Sequence, residues 1–108
     1  MGYEVLLTED ALRDLEELDK YIAIHDGPAK ANHLLNRIES VILELAEFPE
    51  WGNHPPELSS LGIKEYREVF FRPYRIIYRV VEKKVYVYLV VDGHRDMQAL
   101  LSKRLLQQ

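Results

Sequence analysis

With 108 residues the chain has room for one domain spanning 1–108, because a second core would leave neither part enough surface to bury. Hydrophobic residues make up 47% and charged residues 30%, too apolar for a disordered chain and too evenly mixed for a membrane bundle. Cys 0 excludes a disulfide framework, a thiolate nucleophile and a cysteine-based zinc site.

No apolar run approaches the roughly 18 to 20 residues that span a bilayer, and Met1-Gly2-Tyr3-Glu4 lacks a secretory pattern, so a cytoplasmic protein without membrane contact is expected. The net charge of -4 is unevenly divided. Residues 1–54 hold 4 Lys+Arg against 12 Asp+Glu, whereas residues 55–108 hold 10 against 6, so the halves stand at -8 and +4. Binding to nucleic acid needs clustered cations, and only the second half offers them.

Tyr3 to Leu7 reads as a short strand. Thr8 follows as a helix N-cap with Glu9 and Asp10 placed to meet the positive end of the helix dipole. Ala11, Leu12, Leu15, Leu18, Tyr21 and Ile22 recur at helical spacing, predicting an amphipathic helix that Asp26-Gly27-Pro28 breaks. A longer helix carries Ala31, Leu34, Leu35, Ile38, Val41, Ile42, Leu45 and Phe48 until Pro49 stops it, giving a helical hairpin poor in basic residues. Residues 49–62 hold Pro49, Gly52, Pro55, Pro56 and Gly62, too many breakers for regular structure; Trp51, Leu58 and Leu61 are expected to bury this connector over the core.

Three β-rich runs then follow, Glu65 to Phe71, Arg75 to Val81 and Val85 to Val91. Their short connections at Arg72-Pro73-Tyr74 and Glu82-Lys83-Lys84 predict an antiparallel meander, and the last run, apolar on both faces, belongs in the middle of the sheet. Asp96, Met97, Leu100, Leu101, Arg104 and Leu105 predict a short C-terminal amphipathic helix. The fold class is α+β.

The chemistry-bearing residues gather in the second half: Arg67, Arg72, Arg75 and Arg79 on the meander, then Asp92-Gly93-His94-Arg95-Asp96. Arg75 and Arg79 share strand parity, and antiparallel pairing brings the end of the third run near the start of the second, placing His94 and Arg95 within reach of Arg75. An arginine pair with a histidine can hold a phosphodiester, stabilise charge on phosphorus and move a proton near neutral pH. On spacing alone, the plainer reading is solvated arginines paired with Glu65, Glu68 and Glu82. His25 and His33 lack the accompanying ligands of a metal site, and Glu16-Glu17 with Glu44 and Glu47 read as solvated helix faces. No glycine-rich phosphate loop or nucleophile elbow is present.

Tyr3-x-Val5, Leu7-Thr8-x-x-Ala11-x-x-Asp14-Leu15, Leu45-x-x-Phe48-Pro49, Tyr66-Arg67-Glu68, Pro73-Tyr74-Arg75-Ile76-Ile77-Tyr78 and Asp92-Gly93-His94-Arg95-Asp96 together resemble the RelE/ParE superfamily of toxins from bacterial type II toxin–antitoxin modules. The resemblance covers nearly the whole chain and implies the same element order. It also implies a cognate antitoxin partner in a hetero-oligomeric complex and no cofactor.

RelE-like members cleave messenger RNA in the ribosome, and ParE-like members poison DNA gyrase. Arg75 and Arg95 fall where RelE-like nucleases keep functional arginines, with His94 as the proton carrier of any such metal-independent endoribonuclease. Tyr66 and Glu68 stand where RelE carries lysines, however, and Leu101 where it carries a tyrosine used in cleavage. A carboxylate repels RNA phosphate, leucine cannot replace a phenol, and the chain is acidic. These departures favour the ParE-like reading, with Arg67, Arg72 and Arg79 as contacts to target or antitoxin.

Overall fold

A computed structural model describes residues 2–107. Strand β1 (Glu4–Leu7) leads through Thr8 into α1 (Glu9–Asp26), and α2 (Pro28–Glu44) returns antiparallel. Thr8 caps as its sequence predicts, its hydroxyl accepting the Ala11 N–H at 3.1 Å. Gly27, at φ 99°, occupies backbone space that a side chain rarely tolerates, and Pro28 opens the next helix beside it. Helix α3 (Pro56–Ser59) lies within the connector, followed by β2 (Tyr66–Phe71), β3 (Tyr74–Val81), β4 (Lys84–Asp92) and α4 (Met97–Leu101), which continues as a π-helical turn at Ser102–Leu106.

The four strands form one sheet in the order β1-β4-β3-β2. The meander is antiparallel, as expected, and β1 adds to β4 in parallel, with Glu4 opposite Lys84 and Leu7 opposite Val87. Placement between β1 and β3 explains why β4 is apolar on both faces. One face, through Tyr74, Ile76, Tyr78, Val85, Val87 and Val90, packs on Ala11, Ile38, Ile42 and Leu45 of the hairpin region. The opposite face, through Tyr66, Ile77, Leu89 and Val91, is covered by Leu58, Met97, Leu101 and Leu105. Alternation on β4 slips once. Ile77 pairs with Leu89 and Tyr78 with Val87, leaving Tyr88 as the extra residue of a bulge.

Several expectations need correction. The connector is not wholly irregular: besides α3 it makes a β-bridge between Asn53 and Glu68. Trp51 and Leu61 are 54% and 57% exposed, and of the three apolar residues expected to bury the connector only Leu58 enters the core. For Trp51 the reason lies in its neighbour Gly52, whose added Cβ would stand 2.5 Å from the Glu68 carbonyl oxygen and 2.8 Å from the Tyr78 hydroxyl. The connector presses its backbone on the sheet there, so the flanking side chains turn outward. Helix α2 also ends at Glu44, four residues before Phe48, which is exposed, as are Leu12 and Tyr21 on α1.

The buried Tyr78 hydroxyl accepts the Gly52 N–H at 2.9 Å. Tyr78→Phe strands that donor, so urea unfolding of the variant is expected to show a loss of about 1–3 kcal/mol.

Candidate functional site

Arg75 lies on the face of β3 that also carries Ile77 and Arg79, opposite the helical hairpin. Its side chain is only 11% exposed. The guanidinium is fully engaged: Nη1 and Nη2 donate to the two oxygens of Glu57 at 2.8 Å each, and Nε donates to Glu68 Oε1 at 2.7 Å. Nη2 stands a further 2.6 Å from the same Glu68 oxygen. This is a fork on one carboxylate and a side-on bond to another, the arrangement that the planar group suits best.

The electrostatics follow from those contacts. The hydrogen bonds from Arg75 hold the Glu57 carboxyl below the ordinary glutamate range, and the two carboxylates push Arg75 further up, so it stays charged. Burial pushes Glu68 upward, with the guanidinium opposing. With both acids ionised the cluster carries a net negative charge, which repels a phosphate.

The loop after β4 lies alongside, as strand pairing predicts. Tyr74 pairs with Asp92 and Arg75 with Val91. Gly93 is required here, since its Cβ would meet the Arg75 side-chain stem at 2.9 Å and the Pro73 carbonyl oxygen at 3.2 Å. A shallow cavity lies between Arg72, Pro73, Arg75, Gly93 and His94. His94 is 85% exposed; both its backbone N–H and its Nδ1 lie 2.8 Å from Asp92 Oδ1, and the backbone N–H bond holds Asp92 below its ordinary range. Arg95 is exposed.

The remaining arginines are spread out. Arg67 donates to the Gly52 carbonyl at 2.9 Å, fastening the connector from the other direction. Arg72 is exposed over the Phe70 ring at 4.8 Å, and Arg79 lies 6.0 Å from the Tyr66 ring centre. Of the three acids expected as partners only Glu68 pairs with a strand arginine among the described residues; Glu65 and Glu82 are exposed. Glu57 was invisible to that reading, because it sits in a stretch dominated by turn residues; its one sequence signal is the Pro55-Pro56 pair that starts a helical turn just before it.

A second polar cluster also escaped the sequence. Asp14 of α1 accepts the Val90 N–H at 3.1 Å and two bonds from Arg104, at 3.2 and 3.0 Å, while Arg104 also donates to the Tyr88 carbonyl at 2.9 Å. Its signal is an acid on the same stripe as Ala11 and Leu18, where a solvated carboxylate is out of place.

Residues 5–97 match the family model described as ParE toxin of type II toxin-antitoxin system, parDE. The chain belongs to the ParE toxin family. A curated relative is Toxin ParE3 of Caulobacter vibrioides, 28% identical over 100 residues that cover 93% of this chain and 96% of the relative. The chromosomal ParDE system from P. aeruginosa contains a chain of similar fold, with a TM-score of 0.71 and 18% identity over 84% of this chain and 96% of that one. The same fold is found in the toxin-antitoxin complex RelBE2 from Mycobacterium tuberculosis, at TM-score 0.62 and 20% identity over 85% and 99% of the two chains. A mutant of E. coli toxin RelE in the free state matches at TM-score 0.64 and 18% identity over 97% and 99%. The RelE/ParE fold expected from the sequence motifs is therefore the fold observed.

Two outcomes follow from the carboxylate clamp. Arg75→Ala leaves Glu68 buried without its counter-ion, and denaturant unfolding is expected to show a loss of about 3–5 kcal/mol, so any loss of toxicity in this variant carries a stability component. The bond to Glu57 stabilises the fold above the ordinary glutamate value of 4.5, and the contribution disappears as pH falls through the lower folded value. Between about pH 6 and about pH 3 the parent is therefore expected to lose more stability than Glu57→Gln, measured by thermal unfolding across pH; the Glu57 charge also reinforces the upward shift of Glu68, which narrows the difference without being its source.

Proposed function

We propose that this chain is a growth-arresting toxin that acts in the cytoplasm by poisoning DNA gyrase and is held in check by a cognate antitoxin in a hetero-oligomeric complex. The observation that carries the choice of target is the state of Arg75. At the position where RelE-like nucleases keep a functional arginine, the guanidinium is buried and bonded to two carboxylates. One of them, Glu68, stands where RelE carries a lysine, and Leu101, standing in place of the cleavage tyrosine, is buried in the core. A pocket built to receive a phosphodiester offers free cations; this one consumes its cation internally. Inhibition of a protein target through surface contacts asks for no such pocket, and the exposed Arg72 and Arg95 are the cations best placed to touch it. Arg67 and Arg79 are partly occupied within the fold and contribute less.

The ribosome-dependent messenger-RNA nuclease is the second reading, favoured by one feature. Asp92 orients His94, whose other ring nitrogen is open to solvent beside Arg95. In that case His94 and Arg95 are the catalytic candidates, and Arg75 joins them only after release from Glu57 and Glu68.

Pulse labelling of DNA and protein synthesis in the minutes after the chain is induced without antitoxin separates these readings. DNA synthesis is expected to fall first, with purified gyrase losing supercoiling activity in the presence of the chain. Prior loss of protein synthesis would transfer the function to the nuclease, and unimpaired growth would mark a copy that has kept the fold as a binding protein only.

A further inference from the structure

Cations of the chain itself stand over four of its aromatic rings: Arg72 lies 4.8 Å from the Phe70 ring centre, Lys83 5.1 Å from Tyr3, Arg37 5.4 Å from Phe71 and Arg79 6.0 Å from Tyr66. Phe48 and Trp51 are exposed, and no cation of the described residues lies over either ring. Trp51 is the one tryptophan of the chain, and tryptophan presents the strongest ring face for a cation.

With Tyr3, Pro49 and Glu50 these two rings line a groove of about 450 Å³ at the end of the sheet opposite Arg72 and Arg95. Its walls are fixed from behind. The Trp51 N–H donates to the Phe48 carbonyl at 3.1 Å, closing a turn with Pro49 at its second position, and the Tyr3 N–H donates to the Ala46 carbonyl at 2.7 Å. Gly52, the next residue, is held by Tyr78 and Arg67. Rings presented on a fixed backbone lose little freedom when a partner covers them. Charge selects the occupant. Between Arg37 and Lys64 the sequence has no Lys or Arg, while Glu39, Glu44, Glu47 and Glu50 are exposed along it, Glu50 at the groove itself and in no ion pair among the described residues. The opposing charges, Lys83 and Lys84 where β4 begins, lie on the Tyr3 side; Lys83 already covers Tyr3, and neither lines the groove. The part left open is Trp51 with Glu50, a ring face beside a carboxylate. A planar guanidinium stacks on the one and donates to the other at once, which a compact ammonium does less well.

We infer that this groove takes an arginine side chain of the toxin's target, the guanidinium stacked on Trp51 and donating to Glu50. The inference rests on the reading above that the target is DNA gyrase, and names a surface that meets it and the group that is gripped. An enzyme that binds DNA carries arginines where it meets phosphate, so an aromatic patch rimmed by carboxylates finds its complement there. Arg72 and Arg95, at the other end of the sheet, remain free for a separate contact.

The test is calorimetric affinity for purified gyrase, beside inhibition of supercoiling, for the parent, Trp51→Ala, Trp51→Phe, Glu50→Lys and Glu39→Lys. All three positions are exposed, and urea unfolding is expected at the parental midpoint throughout. Trp51→Ala and Glu50→Lys are each expected to weaken binding on the order of tenfold or more, with Trp51→Phe losing less because it keeps a ring face, and Glu39→Lys, which does not line the groove, neutral. Because Trp51 is the one tryptophan, its fluorescence reports the groove directly: arginine amide is expected to quench it more than lysine amide at equal concentration, and the difference to vanish in Glu50→Lys. Parental affinity for gyrase in both Trp51→Ala and Glu50→Lys would overturn the inference and leave the gyrase reading standing, and equal quenching by the two amides would overturn the assignment to arginine. A parent chain that neither binds nor inhibits gyrase would remove the gyrase reading as well.

Discussion

One guanidinium organises the face of the sheet opposite the helical hairpin. Arg75 joins three segments: β2 through Glu68, the connector through Glu57, and the loop after β4 through the packing of its stem against Gly93. Removing these charges from water is costly, and the cost is offset only because the planar donor meets its acceptors at 2.7 to 2.8 Å with the fork geometry intact. A hydrophobic cluster of equal volume would tolerate sliding; a fork does not. The connector, which carries too many prolines and glycines to be fixed by its own backbone propensity, takes its position from this clamp, from the Arg67 bond to Gly52 and from the Tyr78 bond to Gly52. His94 and Arg95, on a loop whose glycine rests on the same arginine, inherit that position.

Strand β4 is the second organising element. Like β3 it pairs on both sides, but only along its first half, because its second half outruns β1. An exposed strand edge invites pairing with another chain, and here side chains take the place of a neighbour. Asp14 and Arg104 come from opposite ends of the sequence and meet at that edge, so the C-terminal turn and α1 are joined across the side of the sheet as well as through the two cores. The bulge at Tyr88 has a related consequence. By moving Leu89 and Val91 to the face opposite the hairpin while Val87 and Val90 stay on the hairpin face, it lets one strand feed both apolar layers without a break in its apolar run.

Much of this was legible in the residues. Hydrophobic period, the Thr8 cap and the Asp26-Gly27-Pro28 break gave the hairpin, and β-branched runs with short turns gave the meander, because these signals are local and agree with the packing that follows. Parallel addition of β1 to β4 was not readable, since it pairs residues some 80 positions apart and leaves no local trace. The connector misled for a physical reason: a hydrophobic side chain signals burial only where the chain has room to turn it inward, and at Gly52 the backbone itself occupies that room. Within the candidate site, strand parity placed Arg75 and Arg79 on one face and antiparallel pairing placed His94 near Arg75, but Arg95, expected beside them, lines the groove along α1 instead. Neither could show which arginine was already spent, because that depends on Glu57, a carboxylate whose sequence surroundings read as loop.

The distinction between a charge that is present and a charge that is available bears directly on function. Counting cations in the second half of the chain suggests a surface able to grip phosphate, but the count omits the pairing. Arg75 and Arg104 are each bound by carboxylates, Arg67 is turned onto a carbonyl, and the exposed arginines Arg72 and Arg95 lie on turns at one end of the sheet. Those two arginines are few for holding a polyanion by counterion release, and the exposed lysines of this half, Lys64, Lys83, Lys84 and Lys103, are not on the same turns. The two arginines are sufficient as specificity contacts on a folded protein, where a few charges at the rim of an apolar patch decide partner and register. The pairing of Arg75 with Glu57 and Glu68 and the separation of the exposed cations thus support the proposal that the target is a protein.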